Sequence, residues 1–139
     1  MGLDNGFQLR SKKYPDLEIE FASFRNYYEL NEWCLLNCEH INDCEVKITQ
    51  QDVEELREIV KPVAEELLKL GISKLGYYEE NGYPKEYEIA FYSSEFNPID
   101  SRSFAAGIKL CRLYRTLESI WEMMEYNGDE IYFTFYSSF

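Results

Sequence analysis

The chain has 139 residues, of which 26 are acidic and 14 are basic, and its formal net charge is −12. This balance argues against nucleic acid as a direct ligand, because binding a phosphate backbone needs clustered Lys and Arg, and it favours a protein partner with a basic surface. Hydrophobic residues make up 45% of the chain and aromatic residues 17%, which predicts one folded domain over residues 1–139 rather than a disordered chain.

The first half of the chain predicts two strands with a helix between them. Apolar residues alternate with charged ones over residues 17–21 and again over 44–48, which is typical of strands with one buried face. Residues 23–38 between them predict a helix, in which four residues share one face: Tyr27, Leu30, Cys34 and Cys38.

The next segment predicts a second helix. Thr49 is expected to cap its N-terminus, with Asp52 three residues later in place of the usual Glu of a capping box. Gly71 is expected to end the helix, and Pro62 is expected to kink it.

The remaining segments complete the predicted fold. Residues 73–85 are expected to form a loop, 87–91 a strand, 101–126 a long helix and 131–136 a last strand. Strands separated by helices predict an α+β fold, with one mainly antiparallel sheet of four to five strands packed against about three helices.

The expected location of the protein in the cell depends on two kinds of segment, a membrane-spanning helix and a signal peptide. No run approaches the roughly 18 apolar residues of a membrane-spanning helix, and the first residues lack the basic-then-apolar pattern of a signal peptide. We therefore expect a cytoplasmic protein that makes no membrane contact. In a reducing cytoplasm its four cysteines are expected to be free thiols.

Several short pieces of sequence suggest relatives. They are residues 1–4 (Met-Gly-Leu-Asp), the aromatic helix 24–33, the pair 43–44 (Asp-Cys) before a strand and a Thr-capped helix, and residues 136–139 (Tyr-Ser-Ser-Phe). In this order they resemble a group of small phage and prophage proteins that begin Met-Gly-Leu-Asp and end in a Tyr-Ser-Ser-aromatic tail. Asn31 stands where such relatives are expected to carry His. The resemblance implies a phage or mobile-element origin and the host bacterial cytoplasm, and it implies no activity.

The chain's one His and three of its cysteines form a candidate metal site. Thiolates and imidazole are the ligands that structural zinc prefers, and four such residues fall within eleven positions: Cys34, Cys38, His40 and Cys44. However, the cysteines fall in the apolar phases of the predicted helix and strand. The favoured interpretation is therefore that they pack in the core and that the protein has no cofactor, with zinc as the alternative.

Charge is distributed unevenly along the chain. Residues 16–66 include 14 acidic and 4 basic side chains, which predicts an acidic binding face formed by Glu18, Glu20, Glu54, Glu55, Glu58 and Glu65. The first half of the last helix is basic, against the preference of the helix dipole. These cations either pack beside the acidic helix or form an anion site, at Arg102, Lys109, Arg112 and Arg115.

No catalytic motif stands out, since the serine pairs lack a glycine-rich elbow. The favoured hypothesis is a phage-encoded acidic protein without catalytic activity that docks on a basic surface of a host protein, as a nucleic-acid mimic or an anti-defence inhibitor. One alternative is a small enzyme or ligand binder with an aromatic pocket of Trp33, Tyr92 and Tyr136, in which His40 or a Glu transfers protons. Another is a self-associating phage accessory protein that uses the tyrosine face of its last strand as an edge.

Overall fold

Four antiparallel strands form the sheet around which the chain folds. The computed structural model describes residues 2–39, 41–91, 94–101 and 105–139. The strands lie in the order β2-β1-β4-β3, and they are β1 (Asp4–Ser11), β2 (Glu18–Arg25), β3 (Glu45–Ile48) and β4 (Ile131–Ser138). The helices of the described residues are α1 (Tyr28–Asn37), α2 (Gln50–Leu68), α3 (Ile72–Asn81), α4 (Lys85–Phe91) and α5 (Ala106–Asn127). The predicted α+β fold with an antiparallel sheet is confirmed.

The two faces of the sheet differ because strand side chains alternate in direction. Phe7 of β1 pairs with Phe135 of β4, and Phe133 lies two residues along the same face. All three rings are buried with apolar side chains of the helices in one core, so we call this the inner face. The outer face carries Arg10, Tyr136 and the other residues that alternate with them.

Helix α2 begins at the predicted cap. The Thr49 hydroxyl accepts a hydrogen bond from the Asp52 amide at 3.1 Å, and the Asp52 carboxylate accepts one from the Thr49 amide at 2.9 Å. This reciprocal capping box satisfies amides that a helix start leaves without partners. The helix continues through Pro62 to Leu68, and Gly71 follows with a φ of +78°. Thr49 and Gly71 therefore bound the helix as predicted.

The chain between α2 and α5 was wrongly predicted. Residues 73–85 were expected to form a loop, but α3 covers most of them, and the expected strand 87–91 is the helix α4. The rings of Tyr87 and Phe91 stack with centroids 5.7 Å apart. Residues four positions apart lie on the same side of a strand and also on the same side of a helix, so a pattern of five residues fits both structures. In the predicted helix 101–126, the described helix starts at Ala106, and residues 102–104 lie outside the description.

Within the ranges that the structure describes, no helix combines the length and the apolar character that crossing a bilayer requires.

Candidate protein-binding surface

An acidic groove lies where the first turns of α2 meet the last turns of α5. The two helices run in opposite directions here, since the Gln50 side chain at the start of α2 donates to the Glu125 carboxylate near the end of α5 at 2.8 Å. The groove has a volume of about 960 Å³, and its walls carry Trp121 and four carboxylates: Glu54, Glu55, Glu58 and Glu125.

No described cation forms an ion pair with the carboxylates of this acidic groove. Glu55 and Glu125 accept hydrogen bonds from Gln51 and Gln50, which are uncharged. None of the four carboxylates forms an ion pair in the part of the chain that the structure describes. Like charges four residues apart on a helix, such as Glu54 and Glu58, destabilise it by a few tenths of a kcal/mol, on the order of 0.3. A cationic partner would relieve this repulsion.

Trp121 supplies an aromatic surface inside the acidic groove. Its indole is half-buried, and the Arg57 guanidinium lies 5.6 Å from the ring centroid. Tryptophan is enriched among the residues that carry most of the binding energy of protein interfaces. Trp121 and Glu125 could not be predicted as site residues from the sequence, because only the packing of α5 against α2 brings them beside Glu54.

The six predicted acidic residues do not form one face. Glu54, Glu55 and Glu58 line the acidic groove, and Glu65 lies exposed further along α2. Glu18 and Glu20 lie on the outer face of the sheet, whereas α2 covers the inner face. Both are also engaged there: a nitrogen of Arg10 lies 3.2 Å from Glu18, and the Tyr136 hydroxyl donates to Glu20 at 2.8 Å. The prediction of one continuous face is therefore wrong for the two β2 residues.

An ion pair between a largely covered Arg10 side chain and a more exposed Glu45 occupies the outer face of the sheet. The Arg10 guanidinium donates two hydrogen bonds to the Glu45 carboxylate, at 2.9 and 2.7 Å. The Thr134 hydroxyl donates to the same carboxylate. The Arg10 hydrogen bonds hold the pKa of Glu45 below its ordinary value. With 13% of the Arg10 side chain exposed, this pair links β1, β3 and β4 and offers little free charge to a partner.

The predicted anion site is used largely by the sheet. β2 is an edge strand. Successive residues of a strand direct their backbone polar groups to opposite sides, and the Asn26 amide points to β1, where it bonds to the Leu3 carbonyl. The carbonyls of Ser23 and Arg25, which lie opposite Gly6 and Asp4, therefore point away from β1. The Arg112 guanidinium donates to the Ser23 carbonyl at 2.9 Å, and the Lys109 ammonium donates to the Arg25 carbonyl. These side chains take the place of a neighbouring strand.

Arg115, a third residue of that predicted site, contacts a neighbouring residue on the surface of α5. Arg115 is 3.4 Å from Glu118 on the surface, and Arg102 lies outside the described residues. The N-terminus of α5 already receives a carboxylate, because the Gly107 amide donates to Glu79 at 2.7 Å. Glu79 thus places at this helix end the negative charge that the dipole favours.

The three cysteines of the candidate zinc site do not converge. Cys34 and Cys38 are buried in the core, whereas Cys44 is exposed in the turn before β3, so its predicted inward position is wrong. His40 lies outside the description, and the described ranges contain no group of three side chains able to hold a metal ion. Burial raises the pKa of Cys34 well above its ordinary value, which favours the thiol over the thiolate that binds zinc.

The predicted aromatic pocket and the predicted tyrosine edge of the last strand both differ from what the described residues show. Trp33 is buried in the inner core, whereas Tyr136 lies on the outer face, so the sheet separates them. Tyr92 and His40 fall outside the described residues. β4 pairs with both β1 and β3, and its tyrosines therefore lie on an inner strand and not on an edge.

Comparison with known proteins gives no match to a protein-family model, to a curated protein or to a solved structure.

Proposed function

We propose that this chain is an acidic binding protein without catalytic activity, whose acidic groove docks on a basic surface of another protein. One observation carries the proposal: around Trp121, at the junction of α2 and α5, lie four carboxylates that have no ion-pair partner among the described residues. The Glu45 carboxylate differs in this respect, since Arg10 pairs with it on the outer face of the sheet. The acidic groove keeps its charge available to a partner.

The shape of the acidic groove favours a protein over a small ion. It is an open groove of about 960 Å³, and a divalent cation would need several oxygens converging at about 2.0–2.6 Å. A protein surface with Lys or Arg can instead contact several carboxylates at once and cover Trp121. The net charge of −12 would accelerate such association, because opposite potentials raise the rate of encounter.

The resemblance to phage and prophage proteins makes a host protein the candidate partner. A protein that normally binds nucleic acid has the basic surface that the acidic groove requires. By covering that surface, the chain would act as a nucleic-acid mimic or an anti-defence inhibitor. Such an interaction would weaken as salt increases, since exposed charges are screened over about 10 Å at 0.1 M ionic strength.

Capture from bacterial lysate tests the proposal. The purified, tagged protein is incubated with lysate at low and at high salt, and the retained proteins are identified by mass spectrometry. A parallel capture uses a groove variant with three substitutions, Glu54→Gln, Glu55→Gln and Glu58→Gln. A charge-matched control loses three exposed carboxylates elsewhere, through Glu32→Gln, Glu80→Gln and Glu95→Gln.

We expect a basic protein that is retained at low salt by the wild type and by the control variant and is lost with the groove variant. Equal loss with both variants would show that net charge alone causes retention. No specific retention by the wild type at low salt would contradict the proposal for the proteins of that lysate.

A further inference from the structure

A second groove lies between the end of α2, the start of α3 and the first half of α5. Its volume is about 510 Å³, within the range of pockets that hold small organic ligands, about 300–1,000 Å³. The walls are mainly aliphatic, with Leu68 from α2, Leu75 from α3 and Ile108 from α5. At its rim the Ile72 side chain is 79% exposed. The apolar groove is therefore open to a ligand with a hydrocarbon part.

The charge of the apolar groove is opposite to that of the protein. Among the described residues that line it there is no carboxylate, and the charged ones are Arg112 and Arg115. Cys111 also lies in the wall, but burial raises its pKa to about 11 and leaves it a neutral thiol at pH 7. In a chain with a net charge of −12, the groove combines an aliphatic floor with a cationic rim.

The two arginines differ in their freedom to contact a ligand. Arg112 is held by its hydrogen bond to the Ser23 carbonyl and lies 4.8 Å from the centroid of the Phe24 ring. Arg115 has a side chain that is 68% exposed, and its contact with Glu118 is long at 3.4 Å. Arg115 can therefore turn to an anion at the rim while Arg112 stays in place and adds positive potential.

We propose that this apolar groove binds a single-chain amphiphilic carboxylate. The hydrocarbon chain lies on Leu68, Leu75 and Ile108, the carboxylate pairs with Arg115, and Ile72 covers the chain from the α3 side. A guanidinium and a carboxylate form charge-assisted hydrogen bonds of the strong type. The site is separate from the acidic groove, so it can bind its ligand whether or not the protein has a macromolecular partner.

Calorimetric titration with free dodecanoate, below the concentration at which it forms micelles, tests the site. Dodecyltrimethylammonium has the same tail with a cationic head and is the matched probe. We expect saturable one-to-one binding of dodecanoate and at least tenfold weaker binding of the ammonium compound. Among shorter carboxylates, affinity should fall by about fourfold per methylene removed.

Variants then locate the binding. Arg115→Gln should weaken dodecanoate binding by about five- to tenfold, and Ile72→Ser by about threefold or more. Both side chains are largely exposed, so the fold is expected to persist. Two exposed positions outside the groove, Leu36→Ser and Arg25→Gln, serve as controls and should bind as the wild type does.

Three results would overturn this proposal. The first is equal binding of the two head groups. The second is either no binding of dodecanoate to the wild type or binding that neither groove variant changes. The third is a dimer, seen by sedimentation equilibrium, that Ile72→Ser abolishes, because a second copy of the chain would then occupy the groove. None of these results bears on the acidic groove.

Discussion

Replacing Arg10 with Met should destabilise the protein by about 2 kcal/mol. Hydrogen bonds to charged groups contribute about 1.5–3 kcal/mol each, and Arg10 donates two of them to Glu45. Water can compensate in part, because 32% of the Glu45 side chain is exposed. Urea unfolding measures the change, and the melting temperature should fall by roughly 6 °C for a chain of this size. Met retains the aliphatic packing, so the loss reports on the charged head.

A matched control and a double-mutant cycle separate this pair from general charge effects. Arg25→Met breaks an ion pair with Asp4 that is exposed on both sides, and it should cost less than about 1 kcal/mol. In the cycle, Glu45→Gln should add little once Arg10 is Met, with a coupling energy of about 1 kcal/mol or more. Additive single losses, or equal losses for Arg10→Met and Arg25→Met, would refute the reasoning.

The same pair predicts a pH dependence. Because the pKa of Glu45 is lower in the folded protein, its stabilisation is complete above the unfolded pKa of Glu, about 4.3. It is lost as the pH falls through the lower folded pKa. The difference in stability between wild type and Arg10→Met should therefore shrink in acid. A difference that stayed constant down to the acid limit of folding would contradict this assignment.

Three further predictions concern other parts of the fold. Thr49→Ala removes half of the capping box and should lower the free energy of unfolding by about 1 kcal/mol in urea titrations. Of the four cysteines, Cys44 is the exposed one, so a thiol reagent at mildly alkaline pH should modify one thiol rapidly, and Cys44→Ser should remove that fast phase. Arg112→Met should cost about 1 kcal/mol in urea unfolding, and no loss would mean that water serves the Ser23 carbonyl equally well.

The sequence predicted those elements whose local pattern and tertiary environment agree. β4 alternates apolar and polar residues and lies in the middle of the sheet, and α2 has both a cap and a buried stripe. Strand β1 was missed because Asn5-Gly6 resembles a turn. In the structure Asn5 donates to the Tyr27 carbonyl, and Gly6 is needed because an added Cβ would collide with the Ala22 carbonyl.

For the candidate site, only the sign of its charge could be predicted from the sequence. The surplus of carboxylates before residue 66 was visible, but the side of the sheet on which each one lies depends on which face the helices cover. Glu20 and Glu54 belong to the same acidic stretch, yet the sheet lies between them. Glu125, by contrast, is 67 residues beyond Glu58 along the chain and joins it through the packing of α5 on α2. No local pattern contains such information.

The most direct test of the proposed function is the association kinetics of the captured basic protein, measured by surface plasmon resonance across a salt series. The protein with Glu54→Gln, Glu55→Gln and Glu58→Gln is compared with the charge-matched control. We predict an association rate that falls with salt, is reduced strongly by the groove substitutions and is little changed in the control, because steering depends on where the charges lie. A rate that is independent of salt, or equal losses in the two variants, would contradict docking through the acidic groove.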